Sequence, residues 1–388
     1  MKIVVIIPTY NEKENIAKMI EVLEKEVFPK IKKYEMSILV VDDHSPDGTA
    51  EVVKEKMKKY KNVELSLGKK EGLGAAYIRG MKQAMEKMEA VAVIEFDADF
   101  QHDPQYIIDL VKKFDQGYDH VIGSRFIKGG LIPKEWGLFR KILTTFGGLF
   151  SRIVLFFPKI NIVKDTTTGL KLTRTRGVLD QIDFSRLSSG FFYKTQILYQ
   201  LVQNKAKIVE IPLRFKVREI GRSKLSSKDV IVTLISVILL RLQDPKTIQF
   251  MKFAVVGFIG YLVNAIGLEV FYRAGFSPGP ATAIATELAI ISNFILNNIW
   301  TFAEKKIVSL KQLPYKFIQF NLTSMGALII QTIVVWAGTS FFGDQWRQIF
   351  LILAIGFLVL PYNFFMYTTF IWKTRKSKLF GRIQRRIG

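Results

Sequence analysis

The sequence predicts an α/β domain built on a mostly parallel sheet, followed by an all-α membrane domain of four helices. Short β-branched runs alternate with helix-spaced apolar residues over the first 225 positions. Charged residues crowd that same stretch, whereas about Phe250 to Trp372 reads as long apolar runs broken by a few short polar connections. A chain of 388 residues is also long for one compact domain.

The strands fall at Ile3 to Pro8, Met36 to Val41, Val63 to Leu67, Ala90 to Phe96 and His120 to Gly123. Between them Ile16, Met19, Ile20 and Leu23 recur at helical spacing, as do Val52, Val53 and Met57, and then Ala76, Met81, Ala84 and Met85. Repeated strand-then-helix units give a largely parallel sheet whose ligands sit at the carboxyl ends of the strands. Leu138 to Phe157 mixes Phe139, Phe146 and Ile153 with Arg140, Lys141 and Arg152, the pattern of an interfacial amphipathic helix.

The catalytic domain is thus expected over residues 1–225, a juxtamembrane helix within 226–248, a membrane domain over 249–373 and a basic tail over 374–388. Four spans are expected at about Phe250 to Tyr272, Ala281 to Phe302, Phe317 to Phe342 and Ile349 to Trp372, each near the ~20 residues a helix needs. Lys305, Lys306, Lys311 and Lys316 enrich the middle connection, and the other two carry almost no net charge. By the positive-inside rule both termini and the catalytic domain are cytosolic. Asn293-Phe294 resembles Asn363-Phe364, and Lys252-Phe253 resembles Lys316-Phe317, an internal echo of two parallel two-span units.

The formal charge of +22 invites a nucleic-acid partner, but the basic residues flank the hydrophobic runs, where anionic headgroups account for them. No nucleic-acid partner is expected. The chain has no cysteine, which excludes disulfides, zinc thiolates and a thiol nucleophile. The first apolar run is shorter than a signal-peptide core and lacks a small-residue cleavage site, so it reads as a strand of a cytosolic domain.

Phe96-Asp97-Ala98-Asp99-Phe100-Gln101 closes the fourth strand. Two carboxylates two residues apart on a turn leaving a strand suit a hard divalent cation, Mg²⁺ or Mn²⁺, that also bridges phosphates. Val41-Asp42-Asp43 closes the second strand and offers a carboxylate to a base or ribose, while Ser45 to Thr49 form a turn that caps the next helix. Pro8-Thr9-Tyr10-Asn11-Glu12 closes the first strand, where Tyr10 suits a base face and Glu12 its N–H groups. His44, His102 and His120 read as turn or surface residues.

These motifs, with Gly72-Leu73-Gly74 and Gly123-Ser124-Arg125, occur in the order and spacing of the inverting family 2 glycosyltransferases. Over about residues 1–225 the chain resembles the dolichol-phosphate mannose synthases of that family. The resemblance implies a GT-A, Rossmann-like fold and a nucleotide-sugar site at Pro8, Tyr10, Glu12, Val41, Asp43, Asp97, Ala98, Asp99, Arg125, Arg218 and Lys224. It places the metal on Asp97, Asp99 and Gln101, catalytic roles on Asp97, Asp99 and Arg125, and acceptor-phosphate contacts on Arg140 and Thr144. The implied reaction moves mannose from GDP-mannose, with inversion, to dolichyl or another polyprenyl phosphate. The membrane half resembles GtrA-like domains, and homo-oligomers through it are expected.

Two departures leave the sugar open, with UDP-glucose as the alternative donor: Gln196 stands where the family carries an acid, and a run of threonines fills Asp165-Thr166-Thr167-Thr168-Gly169. A lipid-linked sugar flippase or scaffold is the reading of another class. A processive synthase would need a Gln-x-x-Arg-Trp motif, which the chain lacks. Asn264, Glu269, Glu287, Asn293, Asn297 and Asn298 fall inside spans, where hydrogen bonding between helices is the plainer role.

Overall fold

A computed structural model describes residues 1–217 and 227–374, which fall into two compact units, Met1–Arg241 and Leu242 onward. The first unit is built on β1 (Lys2–Thr9), β2 (Glu35–Asp42), β3 (Val63–Leu67), β4 (Ala92–Glu95), β5 (His120–Ser124), β6 (Lys171–Arg174) and β7 (Ile208–Pro212). Helices α1 (Lys13–Val22), α2 (Thr49–Lys59), α3 (Leu73–Glu86), α4 (Tyr106–Asp115), α5 (Leu138–Phe156), α6 (Tyr193–Gln203) and α7 (Ser227–Leu242) connect or follow them.

The strands lie in the order β3-β2-β1-β4-β6-β5-β7. Among the described strands only β6 runs antiparallel to its neighbours. Ile3 to Ile7 are all fully buried, as a central strand covered on both faces requires. Ile3, Val5 and Ile7 face a core with Ile16, Met19 and Ile20 of α1, and Val4 and Ile6 face a second core with Ala76, Tyr77 and Met81 of α3. The chain reverses its direction across the sheet between β1 and β4, which opens a crevice at their carboxyl ends.

Strands β6 and β7 escape the β-branched pattern. Lys171-Leu172-Thr173-Arg174 alternates polar and apolar residues like an edge strand, yet Lys171 is 1% exposed and pairs with Glu95. The histidines correct a further expectation. His44 is exposed, but His102 and His120 are buried. Burial, with the charge of Lys171 adding to it, pushes His120 down to about 3. Its folded pKa thus lies below its unfolded one, so it contributes stability above about pH 6.5 that is lost as pH falls towards 3. Chemical denaturation of the catalytic unit between pH 7 and pH 4 is expected to show this loss at a slope of about 1.4 kcal/mol per pH unit for one such group. His120→Asn is expected to flatten it.

On α5 the apolar side chains Leu138, Ile142, Phe146, Leu149 and Ile153 recur every three or four residues and are exposed, while Leu155 and Phe156 pack inward with Val237 of α7. Ile231, Val232, Ile235, Ile238 and Leu239 form a second exposed apolar face on α7.

In the second unit α8 (Pro245–Arg273) and α10 (Leu313–Phe342) are continuous, α9 (Pro278–Leu296) runs on through a π-helical segment, and α11 (Arg347–Leu353) and α12 (Leu360–Met366) are joined by another, giving four membrane-length helices. These are Pro245–Arg273, Pro278–Thr301, Leu313–Phe342 and Asp344–Ile371. The echo in the sequence has matching contacts. Phe253 packs on Phe364 at 5.5 Å, and its counterpart Phe317 packs on Phe294 at 5.3 Å. Lys252 lies 5.8 Å over Trp300, and its counterpart Lys316 bonds the carbonyl of Phe370. Phe302 and Trp372, each the other's counterpart, stack 4.4 Å apart. Among the polar residues in the spans, Asn298 accepts from Trp372 Nε1 and Ile307 N and donates to Ile307 O. Asn264 is bonded by Thr286, and Glu269 by Arg273.

Candidate active site

Strands β2, β1 and β4 are neighbours, so the three motifs that close them meet along one edge of the crevice. Register pairs Pro8 with Val41 and Thr9 with Asp42. Asp42 is wholly structural: its carboxylate accepts from Thr9 Oγ1 at 2.9 Å and Ser45 Oγ at 2.6 Å. Within the turn Ser45 to Thr49, Asp47 closes the entry into α2, accepting from Thr49 N and Oγ1. Asp43 is paired with Arg79 at 2.6 Å and is thus a neutralised carboxylate wherever it meets a ligand.

Tyr10 is half-buried, with Lys70 Nζ 3.5 Å above its ring, and Glu12 accepts from Asn15. Val41 is fully buried in the second core, and Ala98 is 4% exposed in the first, below the acidic pair. Arg218 and Lys224 lie outside the described residues.

Asp97 and Asp99 sit just past β4. Tyr77 Oη donates to Asp97 Oδ1 at 2.8 Å, and burial together with the charge of Asp97 holds that phenol well above its ordinary pKa, so it stays a donor. Phe100 takes a left-handed φ of 56°, which turns the chain so that Gln101 N donates to Asp99 Oδ1 at 3.1 Å. Gln101 Nε2 reaches Lys216 O at 3.4 Å, and its amide oxygen has no partner among the described residues. Two carboxylates and an amide oxygen are a hard, oxygen-only donor set that fits Mg²⁺ or Mn²⁺ completed by phosphate and water.

Antiparallel β6 brings its leading loop, Asp165 to Gly169, to the carboxyl ends of β4 and β5. Asp165, fully buried, holds Arg125 through Nε at 2.7 Å, Nη2 at 2.8 Å and the backbone N at 3.0 Å. Thr167 Oγ1 takes Arg125 Nη2 as well, which leaves Nη1 as the guanidinium nitrogen with no partner among the described residues. The threonine run thus has one member engaged with Arg125.

The Gln196 departure also has a local reason. Its Oε1 accepts from Ser188 N at 2.7 Å and its Nε2 donates to Arg186 O at 2.9 Å, a pairing that needs both halves of an amide. It braces the loop whose Ser188 and Ser189 carbonyls lie against Gly72 and Gly74, where any Cβ would collide.

Three buried residues near the acidic pair had no signal in the sequence: Tyr77, His102 and Lys194. His102 Nδ1 lies 3.9 Å from Asp97 Oδ2, and burial pushes the imidazole down to about 4, so it is neutral and does not compete with a cation. His102, Lys194 and Asp97 converge at Gly169, where a Cβ would lie 2.5 Å from Asp97 Oδ2, 3.0 Å from His102 Cε1 and 3.3 Å from Lys194 Nζ. Gly169→Ala is expected to displace Asp97 and lower turnover about 10²-fold while the melting temperature holds within a few degrees. Unchanged turnover would separate Asp97 from the chemistry.

On α5, Arg140 stacks 3.8 Å over Trp136, and Thr144 Oγ1 donates to Arg140 O at 2.8 Å one turn away.

A mostly parallel α/β sheet with an acidic pair at its reversal is the GT-A architecture of glycosyltransferases. The pattern of Glycosyl transferase family 2 matches residues 4–171, and that of the GtrA/DPMS transmembrane domain matches residues 252–372. The dolichol-phosphate mannosyltransferase of Pyrococcus furiosus is 33% identical over 337 residues, 87% of this chain and 90% of that protein. The polyprenol monophosphomannose synthase of Mycolicibacterium smegmatis is 33% identical over 58% of this chain and 82% of its own length. The undecaprenyl-phosphate mannosyltransferase of Micrococcus luteus is 34% identical over 58% of this chain and 88% of its own. The chain belongs to glycosyl transferase family 2 and is a membrane protein with a GtrA/DPMS transmembrane domain.

Proposed function

We propose that the protein transfers mannose from GDP-mannose to a polyprenyl phosphate, with inversion, at the cytosolic face of a membrane. The observation that carries this is the acidic pair Asp97 and Asp99 in the crevice of a catalytic unit whose chain continues into four membrane-length helices. The three relatives carry different polyprenols in their names but one sugar, which supports mannose more firmly than any one lipid.

Asp97, Asp99 and Gln101 would hold Mg²⁺ or Mn²⁺, which supplies charge stabilisation to a diphosphate leaving group. Arg125, oriented by Asp165, offers Nη1 to the same developing charge. Tyr77 fixes the Asp97 carboxylate. A lipid monophosphate is an anion at neutral pH and attacks the anomeric carbon without a general base, which agrees with a His102 that burial pushes down to about 4, a weak base. Arg140 and Thr144 are the proposed contacts of that phosphate, and the exposed apolar faces of α5 and α7 suit a lipid surface. The lysines between the second and third spans support the cytosolic side.

Purified protein with Mg²⁺ and polyprenyl phosphate, given labelled GDP-mannose, UDP-glucose or UDP-N-acetylglucosamine, is expected to label the lipid extract from GDP-mannose alone. Label in no lipid fraction would refute lipid-phosphate transfer, and label only from UDP-glucose would refute the sugar.

A further inference from the structure

Arg79 of α3 takes no part in the reaction as proposed above, yet its guanidinium is held from two sides. Nη2 donates to Asp43 Oδ1 at 2.6 Å. On another side it covers Gly68, where an added Cβ would collide with Arg79 Cζ, Nη1 and Nε, its three nearest atoms. Gly68 is itself pinned, since its N–H donates to Asp42 O at 3.0 Å and its carbonyl accepts from His44 Nδ1 at 2.7 Å. Arg79 Nε is buried with no hydrogen-bond partner among the described residues, which leaves the Asp43 bond and the Gly68 contact to select this pose.

The carboxylate has reason to be held. Asp42 and Asp43 are adjacent, the first fully buried and the second 8% exposed. Hydroxyls and a backbone N–H serve Asp42, so Arg79 is the one cation bonded to either carboxylate among the described residues. A carboxylate this deep is stable in place only with such a partner. With Oδ1 engaged, Oδ2 is the Asp43 oxygen that has no partner among the described residues. Asp43 follows β2 and the acidic pair follows β4, with β1 between them, a separation of about 10 Å by strand spacing. That interval leaves room for a nucleoside whose diphosphate lies at the acidic pair.

We propose that Arg79 is the positioning residue of the nucleoside end of the donor site, holding Asp43 so that Oδ2 accepts from a base N–H or a ribose O–H of a nucleoside diphosphate. This rests on the donor-site reading given above. Gly68 is the second part of the device, because a residue without a side chain leaves room for the guanidinium. Its backbone is not left-handed, so alanine is compatible with the chain there and the added methyl meets Arg79 first.

The full-length protein in detergent, with Mn²⁺ present, is titrated by calorimetry with GDP, UDP and pyrophosphate. Arg79→Met and Gly68→Ala are each expected to bind the nucleotide that the wild type binds about tenfold more weakly. Pyrophosphate, which has no nucleoside and lies about a Debye length away, is expected to stay within about threefold. Arg79→Lys, which keeps a charged donor, is expected to lose at most about threefold in nucleotide affinity. The double variant of Gly68→Ala and Arg79→Met is expected to bind as Arg79→Met alone, since both act through one bond. With the 2′,3′-dideoxy form of the same nucleotide, the effect of Arg79→Met persists if Oδ2 meets the base and vanishes if it meets the ribose.

Nucleotide affinity unchanged in a folded Arg79→Met protein overturns the inference, and so does an equal weakening of nucleotide and pyrophosphate, which a merely structural role would give. If Arg79→Met does not fold, Gly68→Ala decides, and wild-type affinity in that variant at wild-type melting overturns the inference as well. Wild-type protein that binds neither nucleotide with Mn²⁺ sinks the donor-site reading itself, and the inference with it.

Discussion

Asp99→Asn is expected to lower turnover by about 10³-fold with little change in melting temperature. The substitution is nearly isosteric, and an asparagine side-chain oxygen can still accept the Gln101 N–H that now goes to Asp99 Oδ1. What it removes is one of two formal charges in a site where Asp99 is 6% exposed and where water cannot replace the loss. Single-turnover transfer to polyprenyl phosphate, with circular dichroism as the control for folding, measures it. Turnover within tenfold of the wild type would mean that the acidic pair is a structural turn.

The second large effect falls on stability. Asp165→Leu is expected to destabilise the catalytic unit by about 3–5 kcal/mol, because it leaves the guanidinium of Arg125, itself 9% exposed, buried without its partner. Arg125→Met in the same chain is expected to restore much of the loss without restoring turnover, since the second substitution removes the stranded charge and also Nη1. Urea denaturation of the single and double variants reads this directly. Failure of the double variant to recover would place the Asp165 contribution in the backbone bonds to Arg125 and Thr167. Burial alone would raise the Asp165 pKa, but the Arg125 charge and its hydrogen bonds outweigh it and hold the carboxyl below its ordinary value. The stability it contributes is therefore full above about pH 4 and is lost as pH falls through that lowered value.

The sequence carried the parallel part of the fold because its strands are continuous β-branched runs, each ending in a chemically marked turn. Ile3 to Pro8 before Thr9-Tyr10 and Ala90 to Phe96 before Asp97 are examples. It hid β6 because a buried lysine in a short alternating strand looks like an exposed edge, and Lys171 is tolerated only by its pairing with Glu95 and its neighbours. That omission had a cost at the site. Without an antiparallel β6 there was no way to see that Asp165 meets Arg125, or that Gly169 closes on Asp97. The histidines failed for the same reason. A lone imidazole has no periodic mark of burial, and His102 is enclosed by Phe96 and Phe215, residues far apart in the chain. The four spans were legible from length and apolarity alone, down to ends within a few residues of those observed, since no pairing partner has to be known to recognise one.

The matched contacts of the membrane unit bear on how its chain could have been ordered. Because Phe253 meets Phe364 as Phe317 meets Phe294, the aromatic packing does not record which hairpin precedes the other, and a circular permutant that exchanged them would find the same partners. The hydrogen bonds are less even. Trp372 Nε1 donates to Asn298, whereas its counterpart Phe302 has no side-chain N–H and the counterpart of Asn298 is Thr368. Ser324 meets Tyr367 Oη, whereas their counterparts are Gly260 and Asn297, so the polar contacts tell apart two hairpins that the aromatic packing treats alike.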